Sequence, residues 1–184
     1  MLAAGINPLL QGLNYIPNLF LYESNITEFT IPDHIESIGS FAFYHCFSLA
    51  NLKIPDNVTS IEHSAFHGCT SLTNIAIPNS VTSIGEWAFR MCTGLTNITI
   101  PNSVTSIEAF AFCKCKNLTN VIIGNSVVHM GDSTFYYCTN LKEITINQTI
   151  QQVKNKLKLH IRSDWRRESG IKKIICLDGI IDLK

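Results

Sequence analysis

Residues 72–94 read Leu72-Thr-Asn-Ile-Ala-Ile-Pro-Asn-Ser-Val-Thr-Ser-Ile-Gly-Glu-Trp-Ala-Phe-Arg-Met-Cys-Thr-Gly94, and the same pattern returns every 23 residues through most of the chain. A fixed period of this length is the signature of a solenoid, in which each unit forms one coil. The repeated positions form columns of like residues, such as Phe43, Phe66, Phe89, Phe112 and Phe135, or Cys46, Cys69, Cys92, Cys115 and Cys138. One coil cannot bury such side chains alone, but stacked coils bury them as continuous ladders.

Each unit divides into three parts. Leu72 to Pro78 alternates apolar and small polar residues, which predicts a short strand that the proline ends. Val81 to Ile84 predicts a second short extended segment. Gly85 to Cys92 lacks alternation and spaces Ala, Phe and Cys by one and three, which predicts a tight helical turn that returns the chain to the next strand.

The unit resembles the BspA-like, or Treponema-type, leucine-rich repeat, whose pattern is Ile-Pro-x-x-Val-x-x-Ile-Gly-x-x-Ala-Phe-x-x-Cys-x-x-Leu-x-x-Ile. The match covers residues 26–146. It departs at Gly124 and Asn147, which replace the proline, and at Glu62 and Glu108, which replace a glycine. The resemblance implies a leucine-rich-repeat solenoid of β-rich coils with short helical turns, stacked in a curved right-handed array with terminal caps. It also implies a binding or adhesion-like role in a family that is often surface-exposed.

Both ends depart from the repeat. Residues 1–25 are interpreted as a degenerate first coil or N-terminal cap, residues 26–146 as the repeats, and residues 147–184 as a C-terminal cap. In that cap, Thr149 to Leu159 predicts a short helix and Ile171 to Cys176 a last strand over the final coil. Trp165 matches the terminal segment of the resembling family, which favours a packing role.

Charge and hydropathy exclude several classes of protein. The chain carries 14 basic and 14 acidic residues among 184, so it has no overall field to attract nucleic acid. Residues 1–150 carry a net charge of −5 and residues 151–184 one of +5. Neither a signal peptide nor a membrane span is recognisable, which predicts a soluble chain with no membrane insertion and leaves cytoplasmic and surface locations open.

The sequence gives no sign of catalysis, a cofactor or a metal centre. No Gly-x-Ser-x-Gly, P-loop or dinucleotide motif is present, and we predict a protein that is not an enzyme. His63 and His67 would share one face of a helix and could hold a metal there, but the turn is short and no carboxylate is placed as in His-Glu-x-x-His. We therefore predict that no metal or cofactor is bound.

Seven cysteines is an odd number, so they cannot all pair as disulfides within one chain. Because the column cysteines fall at apolar positions, we interpret them as buried free thiols, although rungs about 4.8 Å apart also leave disulfide pairing open. Cys113 is different, because its column otherwise holds Tyr44, His67, Arg90 and Tyr136. That surface-like column predicts an accessible thiol at Cys113.

The outward positions of the strands form the predicted binding face. They are small, polar and almost uncharged, with few of the aromatic or Arg anchors of tight interfaces, which favours modest or multivalent contact with a protein or glycan, or self-association. An amide ladder that merely solvates the sheet is the competing interpretation. The positions are Glu28, Asn51, Asn74, Asn97, Asn120 and Glu143 in one column and Thr30, Lys53, Ala76, Thr99, Ile122 and Thr145 in the next.

An alternative function uses the basic C-terminal segment to dock an anionic partner, either nucleic acid or an acidic protein. Trp165 beside Arg166 and Arg167 could stack on a base and neutralise phosphates, although a solvated cap surface is the simpler interpretation and nucleic acid is not favoured. The residues are Lys154, Lys156, Lys158, Arg162, Arg166, Arg167, Lys172 and Lys173. Counterion-driven binding would weaken steeply with salt, whereas a neutral strand face would be almost indifferent.

Overall fold

The computed structural model describes residues 10–156 and 168–183 and is a solenoid of about six coils of 23 residues, as the repeat predicts. It consists of thirteen short strands and one helix within the described residues. In chain order they are β1 Tyr15–Ile16, β2 Glu28–Thr30, β3 Ser37–Ile38, β4 Asn51–Lys53, β5 Ser60–Ile61, β6 Ser83–Ile84, β7 Asn97–Ile100, β8 Ser106–Ile107, β9 Asn120–Ile123, β10 His129–Met130, β11 Glu143–Ile146, α1 Ile150–Lys156, β12 Lys173–Cys176 and β13 Gly179–Asp182.

Strands from successive coils pair in parallel on two sides of the stack. The two-residue strands form one continuous sheet in the order β1-β3-β5-β6-β8-β10. The longer strands form the other side, as a pair β2-β4 and a five-stranded sheet β13-β12-β11-β9-β7. We call the exposed surface of this second side the strand face. Buried and exposed residues alternate along these strands, because successive side chains of a strand point to opposite faces. In β7, Ile98 and Ile100 are buried while Asn97 and Thr99 are exposed.

The return segment differs from the helical turn that the sequence predicts. Between Gly85 and Cys92 the structure has consecutive turns and no helix, and Trp87 and Met91 adopt left-handed φ angles of 58° and 60°. The N–H of Phe89 donates to Ala111 of the next coil at 2.8 Å, while the N–H of Arg90 donates within its own coil to Trp87 at 3.0 Å. Alternate N–H groups thus bond between coils, which a helix, with its bonds all internal, does not allow.

The core is a set of aligned ladders. The phenylalanine rings of adjacent coils stack at centroid separations of 5.2, 5.2, 5.3 and 5.6 Å, and all five are fully buried. The column cysteines add a polar contact, because the Cys92 thiol donates to the Phe66 carbonyl at 3.1 Å and the other rungs repeat the arrangement. Cysteine therefore fills a small apolar space and also satisfies a buried carbonyl.

One predicted strand is missing. The segment from Leu72 to Pro78 belongs to no sheet, and within the described residues the backbone groups of residues 74–77 make no hydrogen bonds. Ala76 occupies a position held by Thr30, Thr99, Ile122 or Thr145 in other coils, and alanine is a weaker strand former than those β-branched residues. The long-strand side is consequently interrupted between β4 and β7.

The C-terminal segment closes the stack. Thr149 and Gln152 exchange hydrogen bonds of 2.9 and 3.2 Å that cap α1, and α1 lies within the predicted helix from Thr149 to Leu159. β12 pairs in parallel with β11, in agreement with the predicted last strand. β13, which was not predicted, pairs antiparallel with β12 through a two-residue loop. The predicted packing of Trp165 lies outside the described residues.

The N-terminal end also carries one described strand. β1 pairs in parallel with β3, so the chain before residue 26 contributes a rung to the sheet of short strands. The Phe20 ring packs edge-on against Phe29 at 5.8 Å, and Leu10 and Ile16 are fully buried. The division into a first coil or cap at 1–25, repeats at 26–146 and a C-terminal cap at 147–184 remains a prediction.

Candidate binding surfaces

The strand face presents the predicted binding positions to solvent. Ten of the twelve are exposed, and Ile122 and Thr145 are half-buried. Two depressions lie on this face. One of about 540 Å³ lies where the strand is interrupted and is lined by Asn74, Ala76, Asn97, Thr99 and Asn102 among others. The second, of about 410 Å³, is lined by residues that include Glu28, Thr30, Asn51 and Lys53.

The larger depression is rich in hydrogen-bonding groups. Asn74 and Asn97 offer side-chain amides that both donate and accept, and the unpaired backbone of residues 74–77 borders the same space. Ile75 and Ile77 are buried but retain 7% and 8% exposure, more than Ile98 and Ile100 in the next coil at 2% and 1%. This part of the strand face can therefore offer donors, acceptors and a little apolar surface to one ligand.

The return segments of the coils carry a surface that the sequence interpretation did not single out. We call the outward surface of the return segments the turn face. Aromatic side chains from four coils, linked by histidines, form a ring network on this face. We call it the aromatic patch, and it consists of Tyr22, Phe41, Tyr44, Phe47, Trp87 and Phe110. Phe41, Trp87 and Phe110 adopt left-handed φ angles of 58°, 58° and 57°, and their side chains are half-buried. The available signal was the large aromatic residue that precedes Ala-Phe in three units, at Phe41, Trp87 and Phe110.

Histidines occupy the spaces between these rings. His63 lies between Phe41 and Trp87, with centroid separations of 5.0 and 5.4 Å, and its Nδ1 is 3.8 Å from the Glu86 carboxylate. Gly68 has a left-handed φ of 77°, and a side chain there would collide with the His45 ring, so this glycine makes room for His45. His45 in turn approaches Glu23 at 3.7 Å.

His67 is the most enclosed of the histidines on the turn face. It is 4% exposed, and burial, followed by the nearby Arg90 charge, lowers its pKa to about 4. Its Nε2 lies 3.0 Å from Arg90 Nη1, so Nε2 is the acceptor of a neutral ring, and Nδ1 has no partner among the described residues. His63 and His67 therefore have different polar neighbours, Glu86 and Arg90 respectively. Across residues 10–156 and 168–183, no three or more His, Cys, Asp or Glu side chains are arranged to hold a metal ion.

The seven cysteines are all free and buried, which corrects the prediction of an accessible Cys113. Cys113 is 2% exposed, because its column is only half open and Arg90 lies beside it. Burial raises the pKa of Cys46 to about 11 and that of Cys92 to about 12. Cys46 and Cys92 are therefore protonated at neutral pH, and every thiol of the column is enclosed.

We expect the native protein to react very slowly with a thiol reagent at neutral pH, because the thiolate is the reactive form and these thiols are protonated and enclosed. Labelling followed by mass spectrometry measures each site. Cys176, at 8% exposure, should react first and Cys92 only after unfolding in denaturant. Rapid native labelling of Cys69, Cys92 or Cys115 would contradict the core packing.

The basic segment is only partly described. Lys154, Lys172 and Lys173 are exposed, and Lys156 belongs to α1. Lys158, Arg162, Arg166 and Arg167 lie outside the described residues. The described part of the basic segment is thus limited to Lys154, Lys156, Lys172 and Lys173, and the binding role of the set stays a prediction.

The coil architecture and its exposed faces define a leucine-rich-repeat scaffold. The chain belongs to the BspA-type leucine-rich repeat family, because the model of the BspA type leucine rich repeat region matches residues 14–94 and 59–157, in six copies. Comparison with curated proteins found no match. The resemblance seen in the repeat unit is thereby confirmed.

Solved structures agree with this assignment. The leucine-rich repeat protein of Treponema pallidum has a TM-score of 0.64 and 29% identity, over 67% of this chain and 62% of that one. A leucine rich cell surface protein of Faecalibacterium prausnitzii has a TM-score of 0.56 and 32% identity, over 72% of this chain and 42% of that one. The pneumococcal vaccine antigen PcpA shares the fold, with a TM-score of 0.62 and 22% identity, over 72% of this chain and 33% of that one.

The family assignment identifies the chain as a leucine-rich-repeat scaffold, and proteins of this repeat family generally act as non-enzymatic binding scaffolds. Members of the family are often associated with the cell surface. Within the described residues, no helix combines the length and apolar character needed to cross a membrane. The chain spans less than two thirds of the length of each of the three solved structures named above.

Proposed function

We propose that the protein binds a partner protein through its strand face, with the interrupted coil at the centre of the contact. The observation that carries this proposal is the 540 Å³ depression, whose lining includes Asn74, Ala76, Asn97 and Thr99 from the outward columns. Solenoids present such columns as one extended surface, to which each coil contributes a row. A glycan, which also uses amide hydrogen bonds, is the alternative ligand of this face.

Ala76 allows a sharp test, because its side chain is exposed and lies within the depression. We expect Ala76→Glu to leave the fold intact and to reduce capture of the partner at least tenfold. The reason is that the variant places an unpaired carboxylate in an uncharged part of the interface. The measurement is quantitative mass spectrometry of proteins retained by the immobilised chain, together with glycan-array binding. Asn140→Glu is the matched control, because it adds the same charge at an exposed site that lines neither depression.

Equal retention by the two variants would contradict a role for the strand face. Retention that falls steeply with salt in both variants would instead support the alternative function, in which the basic segment docks an anionic partner. The exposed Lys172 and Lys173 beside the last sheet are the described residues that favour that alternative. Loss of glycan but not protein ligands in Ala76→Glu would identify a glycan-binding face.

A further inference from the structure

The aromatic patch is partly open to solvent. Tyr22 is 45% exposed and Phe47 is 48% exposed, while Phe41, Tyr44 and Trp87 are half-buried. Tyr22 and Tyr44 stack at 4.9 Å with almost parallel rings, and His63 continues the network from Phe41 to Trp87. Rings held in this way are preorganised, so a ligand that stacks on them loses little conformational freedom of the protein.

Carboxylates accompany the rings. Glu23 and Glu86 have side chains that are 56% and 47% exposed, and Glu62 belongs to the coil between them. In the sequence from residue 19 to residue 91 the basic residues are Lys53 and Arg90, and Lys53 lies on the strand face. The surroundings of the patch are therefore net negative when the histidines are neutral.

The turn face already holds cations over aromatic rings. The Arg90 guanidinium lies 5.6 Å from the centre of the Trp87 ring, and the Lys114 ammonium lies 5.9 Å from the centre of Tyr137. These distances are typical of cation–π attraction. Among the described residues, no Lys or Arg takes the corresponding place over the stacked Tyr22 and Tyr44 rings.

We propose that the aromatic patch is a second docking surface, which binds a segment of a partner protein that carries Arg or Lys side chains. One cationic group stacks on Tyr22 and Tyr44 and pairs with Glu23, and another lies near Phe41 and Glu86. An anionic ligand would be repelled by these carboxylates, and a purely apolar one would leave them without a counter-charge. This surface is separate from the strand face, so the proposal for one surface can be wrong while the proposal for the other holds.

The test uses the full chain and a fluorescent ten-residue peptide of alternating Arg and Ser, with a Gln-Ser peptide of the same length for comparison. We expect saturable binding of the Arg-Ser peptide by fluorescence anisotropy, and much weaker binding of the Gln-Ser peptide. Tyr22→Ala and Glu86→Gln should each weaken Arg-Ser binding about three- to fivefold, on the scale of one exposed cation–π or charge contact. Both positions are exposed enough for the variants to fold, which circular dichroism checks.

Asp56→Asn is the matched control, because it removes one negative charge at an exposed site that belongs to neither the aromatic patch nor the predicted strand-face positions, and it should leave the affinity unchanged. An equal loss in Asp56→Asn and Glu86→Gln would overturn the proposal, since the peptide would then respond only to net charge. Equal binding of the two peptides, or no binding of either, would also overturn it. Sedimentation of the unlabelled chain reveals whether residues 151–184 of a second copy supply the cations. If the chain self-associates and Glu86→Gln abolishes this association, the result would support the aromatic patch as the binding surface, with residues 151–184 of a second copy as its occupant.

Discussion

We expect Phe89→Ala to lower the free energy of unfolding by about 3–5 kcal/mol, the usual cost of replacing a packed aromatic side chain by alanine. Phe89 is fully buried and its ring stacks between Phe66 at 5.2 Å and Phe112 at 5.3 Å. Its removal opens a cavity in the middle of the ladder, where neighbouring coils are held by hydrogen bonds on both sides. The cavity therefore cannot collapse easily.

Denaturant titration of the parent and the variant, with the slope compared as well as the midpoint, measures this loss. Phe47→Ala is the control, because Phe47 is 48% exposed and makes its ring contact with His45 at the surface. We expect it to cost less than about 1 kcal/mol. A Phe89 variant within about 0.5 kcal/mol of the parent would show that the phenylalanine ladder is not the core.

We expect removal of the chain after Asn147 to cause association and loss of stability. The cut takes away α1, β12 and β13, and it uncovers the edge of β11, which bonds to β12 in the intact protein. Ile144 and Leu141, now fully or almost fully buried, would lie beside an unpaired strand edge. Such an edge invites pairing with another chain.

Charge acts in the opposite direction. The cut also removes the segment of net charge +5 and leaves a chain of net charge −5, which on its own aids solubility. Repulsion between charges is screened over about 8 Å at physiological salt, whereas edge pairing and apolar contact are not, so we expect association to prevail. Light scattering and thermal unfolding of the truncated chain measure both effects.

A triple Lys154→Gln, Lys172→Gln, Lys173→Gln variant separates charge from the exposed edge. It lowers the positive charge of the segment while β12 stays paired with β11, and we expect it to remain monodisperse. If the truncated chain is a stable, monodisperse monomer, residues 148–184 are not a cap. That result would favour a binding role for the basic segment.

The repeat and its core could be predicted from the sequence, because burial follows columns that recur at a fixed interval. A position that is Phe in five units, or Cys in five units, must face the same way in each coil. The start of α1 also follows from a local sequence pattern, because Thr149 and Gln152 form a capping box. The thiol of Cys113 was misjudged, because its half-open column is closed by Arg90, which comes from the preceding coil.

The return segment and the surfaces depended on relations between coils. Left-handed conformations at Trp87 and Met91 are uncommon for such residues, and they are stabilised by hydrogen bonds to Ala109 and Cys113 of the next coil at 3.1 and 2.8 Å. A local pattern of Ala, Phe and Cys suits a helical turn equally well. The helical interpretation was wrong because the competing hydrogen bonds come from 22 residues away in the sequence.

Order along the chain thus determined the period, the fold and the buried ladders, because each repeat carries its own inward positions. Only the tertiary structure decided which outward residues meet. Tyr22 stacks on Tyr44, and Trp87 lies beside His63, because adjacent coils place them at neighbouring heights on the turn face. The tertiary structure also decided the interruption at residues 74–77, because the pairing of a strand depends on both neighbouring coils as well as on its own residues.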